Sequence, residues 1–302
     1  MSILEDPTIA TFLASHGRDG TAAPPLAVFD CDGTVIRGDI GEAMFYRQIE
    51  RFLFRRSPAE IWSAHARRER LGELFDTLRP LGNGARRSHP AFDEFAALLL
   101  GWYFDGIAAG RVAEACADIV RLFAGYTSAE VRAIAHETFA GELASPVGSR
   151  RLGGRDLPRG VRYLAESVEL LRALQSRGFD VWAVSGSNKW SVEPVFERLG
   201  VPASRVIGIE LDAPGGTLSD RAAEPVPIRE GKVAALRART AEAPLLTASD
   251  SRNDLPLFLY SRGLKVRVNS RGRDTAEFFR AAGSGPDGSW VLVESPRELE
   301  GI

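Results

Sequence analysis

The 302-residue chain is poor in cysteine, with Cys31 and Cys116 alone. Neither belongs to a CxxC pair, so a disulfide framework or a structural zinc site has no support. Histidine is scarce too: His16, His65, His89 and His136 show no metal-ligand spacing. No apolar run approaches the roughly 18 residues that a membrane span needs. Neither sign of charge dominates, because 38 basic residues face 40 acidic ones for a net −2. A general nucleic-acid binder would carry a basic excess, so that class is not expected. Glu5 and Asp6 come early, and no cationic stretch leads into a long apolar one. A secretory signal is therefore not expected, and the cytoplasm is the expected compartment. Lysine is the rarest basic residue: Lys189, Lys232 and Lys265 stand among thirty-five arginines. A lysine at a chemically demanding position is therefore informative here.

What is present suits a sizeable core, with 44% of residues hydrophobic and 26% charged. Residues 1–24 read as a lead-in with a short helix near Thr8–Ala14. Leu26–Phe29 is a short apolar run between prolines and a glycine, the pattern of a buried parallel strand. From Asp39 to Gly178 the texture is helical, with amphipathic stretches at Glu42–Phe54, Ala59–Leu78, Ala91–Phe104, Gly110–Phe123 and Ser128–Ala140. Thr127 and Glu130 match a capping box. Strand–helix alternation then takes over: strands at Phe179–Val184, Arg205–Leu211, Leu245–Ala248, Leu264–Val268 and Trp290–Val293. Helices are expected at Ser191–Leu199, Lys232–Ala241, Leu255–Tyr260 and Asp274–Ala282, and a hairpin excursion within 209–228. The expected fold is α/β, a parallel sheet with helices on both faces. Residues 1–38 and 176–302 form this core, and 39–175 form an inserted, mainly helical cap.

Four polar clusters fall at strand ends or helix starts, where open α/β sheets bind ligands. They are Asp30-Cys31-Asp32-Gly33-Thr34, Ser185-Gly186, Lys232, and Asp250 with Asn253 and Asp254. Several carboxylates at one sheet edge repel each other unless a cation neutralises them. Oxygen donors without histidine or cysteine favour a hard ion, Mg2+ above all. A lysine and a serine beside them suit an anionic phosphoryl group. Two carboxylates one residue apart can divide the roles of nucleophile and general acid/base. Other motifs fail. No 12-residue calcium loop ending in Glu follows Asp30, Lys232 lies in no Walker loop, and Ser185 lies in no GxSxG.

The order of these residues resembles the haloacid dehalogenase superfamily of phosphohydrolases, over roughly 24–38 and 176–302. Ala248-Ser249-Asp250-Ser251-Arg252-Asn253-Asp254-Leu255-Pro256 and Val184-Ser185-Gly186 resemble its phosphoserine-phosphatase subgroup, with Ser249 replacing the usual Gly. The resemblance implies that Asp30 attacks phosphorus and forms an aspartyl-phosphate. It implies that Asp32 protonates the leaving oxygen and then activates water. Ser185, a backbone amide near Gly186, and Lys232 would hold the phosphoryl oxygens, and Thr34 would steady the first loop. Mg2+ would be held by the Asp30 carboxylate, the Asp32 main-chain carbonyl and Asp250, with Asp254 acting through a metal-bound water. Asn253 would position phosphate or that water. The dehalogenases of the superfamily lack a residue like Asp32, so its presence favours phosphoryl chemistry.

The implied activity is a Mg2+-dependent phosphomonoesterase acting on a small soluble phosphoester, with the cap closing over the substrate. Asp39 lies nine residues after Asp30, where phosphoserine phosphatases carry a glutamate that meets the substrate amine. Two readings stay open for it: an ammonium contact, or N-capping of a helix with Glu42 three residues later. Trp62, Trp102, Tyr103 and Phe104 suit either core packing or a quaternary-ammonium cage. Arg67, Arg68, Arg70, Arg86 and Arg87 read as solvated helix faces. Two further functions remain as alternatives: phosphoryl transfer to an acceptor other than water, and a non-catalytic module that binds phosphorylated ligands.

Overall fold

The computed structural model describes residues 2–16, 23–283 and 288–299. Part of the lead-in, 17–22, lies outside the described residues. The chain divides into two compact units: one of 1–39, 161–208 and 227–302, the other of 40–160 and 209–226.

The first unit is built on a six-stranded sheet. Its spatial order is Trp290–Glu294, Leu264–Asn269, Leu246–Ser249, Leu26–Phe29, Asp180–Asn188 and Val206–Ile209. Leu26–Phe29 sits centrally, parallel to both neighbours, with Phe29 opposite Ala183 on one side and Ala248 on the other. All four of its residues are buried, as the continuous apolar run requires of a strand covered on both faces. On one face Leu26, Val28, Trp182 and Val184 pack against Leu236 and Leu257. Each such side chain contributes about 1.5–3 kcal/mol on burial, which anchors the loops at the strand ends. The chain runs outward from the central strand in one direction and then returns to build the other side. That reversal puts a switch point beside Leu26–Phe29, the place where ligand loops collect.

The expected α/β parallel sheet is thus observed. The interval before residue 176 differs from expectation. Residues 161–175 group with the sheet unit, because Leu164 N donates to Val35 O (2.9 Å) and Tyr163 Oη to Val195 O (2.6 Å). The helix Ala165–Ser176 buries Val168, Leu171 and Leu174, and its Ser167 Oγ donates to Thr34 O at 2.6 Å. Conversely, the excursion at 209–226 groups with the helical unit. It is hairpin-like, as expected, with Leu211 bridged antiparallel to Ala222. Leu218 N donates to Tyr126 O (2.8 Å), and Gly125 N to Leu218 O (2.8 Å).

The second unit is mainly helical. Thr127 and Glu130 form the expected capping box at the start of Ser128–Ala144. The stretch expected as one helix over 59–78 is two, Pro58–Ile61 and Arg68–Leu78. Trp62 Nε1 donates to Asp118 O (2.9 Å) and His65 Nδ1 accepts from Arg67 N (3.0 Å), so tertiary and local bonds replace the helical ladder there. A hairpin, Gly148–Leu152 with Arg155–Arg159, was not expected. Its strands carry little apolar alternation, and only its Gly153-Gly154 turn signals it. Gly153 has φ +53°, and a Cβ there would lie 2.6 Å from Ala97 N, so both conformation and space demand glycine. Among the described residues no helix is long and apolar enough to cross a membrane.

Candidate active site

The loop after Leu26–Phe29 is held tightly. Cys31 O accepts from Thr34 N, Val35 N and Ile36 N at 3.2, 2.8 and 3.2 Å. Gly33 takes φ +80°, and a Cβ there would stand 2.5 Å from Asp250 Oδ2 and 2.8 Å from Arg271 Nε. Glycine is therefore needed on both counts, and its absence of a side chain brings the first and fourth clusters together. Asp30 and Asp32 flank Cys31, which is fully buried; burial, then the two carboxylates, push its thiol well up, so it stays neutral.

Lys232 lies near the start of the helix Glu230–Arg237 and is 4% exposed. Its Nζ lies 2.7 Å from Asp30 Oδ1 and 2.8 Å from Asp254 Oδ1. Burial alone would favour the neutral amine, but attraction to Asp254 and Asp30 outweighs it and holds the ammonium firmly charged. Asp30 Oδ2 accepts from Thr34 Oγ1 at 3.1 Å. Asp254 Oδ2 accepts from Ser249 Oγ, the residue standing where the subgroup has glycine. Burial raises the Asp254 pKa, a push that Lys232 opposes. Asp32 Oδ2 accepts from Ser185 Oγ at 3.3 Å and from Ser187 Oγ at 2.7 Å, while Ser187 N donates back to Ser185 Oγ at 3.1 Å. Gly186 packs against Ile228, whose Cγ1 would lie 3.1 Å from an added Cβ.

Thus Asp30, Asp32, Thr34, Ser185, Lys232, Asp250 and Asp254 gather at one sheet edge. Asn253 stands apart, its Oδ1 accepting a long 3.4 Å bond from Arg229 Nε. Asp39 lies immediately before the helix Ile40–Arg51. Glu42, its proposed capping partner, accepts from Tyr46 Oη (2.7 Å) and Tyr103 Oη (3.0 Å). Trp62 and Trp102 stack with ring centres 5.9 Å apart, and His65 lies 4.9 Å from Trp102, so these rings pack against one another. Arg70 pairs with Glu73 and Glu94, and Arg86 bonds Leu78 O, which ties both to their own unit.

The sequence reading missed Ser187, Arg267, Arg271 and Arg273. Arg271 Nε lies 3.2 Å and Arg273 Nη1 3.8 Å from Asp250 Oδ2. Arg267 is buried beneath, its guanidinium 4.0 Å from the Phe278 ring. Asn269-Ser270-Arg271-Gly272-Arg273 closes the strand Leu264–Asn269, so it was a fifth strand-end polar cluster and readable as one.

Among the described residues no three His, Cys, Asp or Glu side chains form a ready cation cage. Asp250 nevertheless fits a hard cation. It is 3% exposed, and its Oδ2 has no hydrogen-bond donor among the described residues even with Arg271 alongside. Burial first, and then Asp30 and Asp254, push its pKa up to about 6 against the pull of Arg271 and Arg273. Between the ordinary pKa of 3.8 and about 6 the folded protein holds a proton that the unfolded chain releases. Metal-free protein should therefore lose stability at this group as pH rises through that window, by up to about 3 kcal/mol. Denaturant melts at pH 4 and 7 check this: the difference between Asp250→Asn and the parent should grow in favour of the variant at pH 7. A constant difference would contradict it.

The family model of haloacid dehalogenase-like hydrolases matches residues 27–259. The chain belongs to this family of hydrolases. A conserved protein of unknown function from Anaerococcus prevotii DSM 20548 has a similar structure, with TM-score 0.72 and 18% identity over 93% of this chain and 89% of that one. A protein of unknown function from Bordetella pertussis Tohama I gives TM-score 0.56 and 18% identity over 90% and 99%. A phosphoserine phosphatase in a phospho-aspartyl intermediate analogue form is also matched, with TM-score 0.45 and 13% identity over 92% and 96%. That overlap is too loose to bear on substrate. A search of curated proteins yields no match.

Proposed function

We propose that the protein is a Mg2+-dependent phosphomonoesterase for a small phosphorylated metabolite. The observation that carries this reading is the buried Lys232 ammonium between Asp30 Oδ1 and Asp254 Oδ1. It places a cation against Asp30 and orients that side chain in a buried setting, as a carboxylate nucleophile needs. Attack by an Asp30 oxygen on phosphorus forms the acyl phosphate as the bond to the leaving oxygen breaks. Asp32 gives that oxygen a proton, and the two serines at its Oδ2 fix its direction. The resulting Asp32 carboxylate then takes a proton from the water that attacks the acyl phosphate, releasing inorganic phosphate and restoring Asp30. Lys232 and Ser185 supply donors to the phosphoryl oxygens.

Asp30, Asp250 and the main-chain carbonyl of Asp32 would be the oxygen donors for Mg2+, and Asp254 would support the ion from behind them. When bound, the ion offsets the charge of carboxylates and phosphoryl group together. The preferred substrate class is a phosphorylated amino acid or amino alcohol, and it rests on Asp39.

Phosphate release from a panel of phosphoserine, phosphocholine and uncharged phosphoesters tests both levels. Turnover should require Mg2+ and stop in EDTA; no turnover on any small phosphoester sinks the reading. Asp39→Ala should lower the rate on ammonium-bearing esters about tenfold relative to uncharged ones, the worth of one partly exposed charge contact. Unchanged relative rates would remove the amine class and leave the phosphatase reading intact.

A further inference from the structure

We propose that the helical unit carries a second anion site, separate from the carboxylate cluster, that takes a small diphosphate-type anion. A pocket of about 510 Å³ lies wholly within this unit. Its walls come from the helices Ile40–Arg51, Asn83–Arg87 and Ser128–Ala144 and from the hairpin Gly148–Leu152 with Arg155–Arg159. Six arginines line it: Arg47, Arg51, Arg87, Arg150, Arg151 and Arg159. Only two carboxylates do, Glu50 and Glu142.

The way these charges pair is informative. Arg47 goes to Glu137 (2.6 Å) and Arg151 to Asp156 (2.9 Å), both outside the lining. Glu50 and Glu142 are both spent on Arg150, which forms the floor with its side chain 13% exposed. Among the described residues no carboxylate pairs with Arg51, Arg87 or Arg159. Three guanidinium groups therefore line a concavity without a direct carboxylate partner, and the second carboxylate on Arg150 offsets one of their charges. Arg159 is near enough to Arg150 to disfavour its charge, a repulsion added to that of burial. The Nε atoms of Arg47 and Arg150 are buried with no acceptor among the described residues.

Solvated arginines on a convex helix face need no ligand. Here they come from separate helices and a hairpin, so their convergence is tertiary. Six arginines against Glu50, Glu142, Glu137 and Asp156 leave a surplus of two positive charges in the recess, which favours a doubly charged anion over a singly charged one. Guanidinium forks match the paired oxygens of phosphoryl groups. The volume leaves room for more than one tetrahedral oxyanion. A diphosphate group meets both conditions, whether free or at the end of an organic molecule.

Calorimetric titration of the full-length protein in EDTA with sodium pyrophosphate tests this. The parent protein should bind. Arg87→Ala/Arg159→Ala should weaken that binding at least about tenfold. Ser185→Ala, altered at the other anion site, should keep it. Arg51→Ala, on a different helix, gives the same readout should the double variant not fold. Parallel titrations with inorganic phosphate and with a nucleoside diphosphate distinguish a free from an appended diphosphate, and tight binding of either diphosphate supports the site. Four results overturn it: no binding, equal binding by parent and arginine variants, loss of binding in Ser185→Ala alone, or capture of an oligonucleotide with no binding of pyrophosphate.

Discussion

Asp30→Asn should abolish phosphate release, by at least about a thousandfold, while leaving the fold intact. The amide keeps the size of the side chain but offers no anionic oxygen for attack on phosphorus, so the acyl phosphate cannot form. Lys232 retains Asp254 as a partner 2.8 Å away, so no buried charge is left without its opposite. The thermal midpoint should accordingly move far less than activity. Single-turnover assays with a chromogenic phosphoester measure the first loss, and a melt measures the second. Turnover within tenfold of the parent would exclude Asp30 as nucleophile. Asp32→Asn offers the contrast, because Asp30 can still attack a substrate whose leaving group needs no proton. With such a substrate, acyl phosphate should accumulate in Asp32→Asn and not in Asp30→Asn.

The residues that made this site legible are those whose positions follow from strand periodicity. Leu26–Phe29 and the other core strands stand out because a doubly covered strand reads as an apolar run and its polar end as a break. Asp30, Ser185 and Asp250 follow such runs directly. Lys232 was legible through scarcity rather than pattern. What was not legible depends on tertiary partners. The two strands of the hairpin at 148–159 bury only Leu152 and Leu157, so no alternation marks them. The break after Ile61 rests on Trp62 finding Asp118 O, a residue far along the chain. The grouping of Ala165–Ser176 with the sheet is written in contacts such as Ser167 to Thr34, not in its helical pattern. Arg271 is legible by its position after a strand, but arginine is common throughout this chain, so its residue type adds no signal.

Lys232→Met should both destabilise the protein and remove activity, and the two losses should separate. At pH 7 the variant leaves Asp30 and Asp254 buried together with no cation between them. Breaking a buried pair in this way costs about 3–5 kcal/mol. The two carboxylates then repel, so one takes up a proton more readily than in the unfolded chain. Stability of the variant relative to the parent should therefore recover as pH falls from 7 towards 5, the direction set by a folded pKa raised above its unfolded value. Denaturant melts at the two pH values measure this, and equal deficits at both would refute it. Activity should fall at least about a hundredfold and stay low at pH 5.5, because the donor to the phosphoryl oxygens is absent at either pH. Lys232→Met/Asp254→Asn supplies the decisive comparison. Removing the second carboxylate takes away the repulsion, so the double variant should regain about 1–3 kcal/mol over Lys232→Met, a coupling typical of directly contacting groups. Its activity should not return. If activity did return with stability, Lys232 would be holding two carboxylates apart, and the phosphoryl group would need another cation.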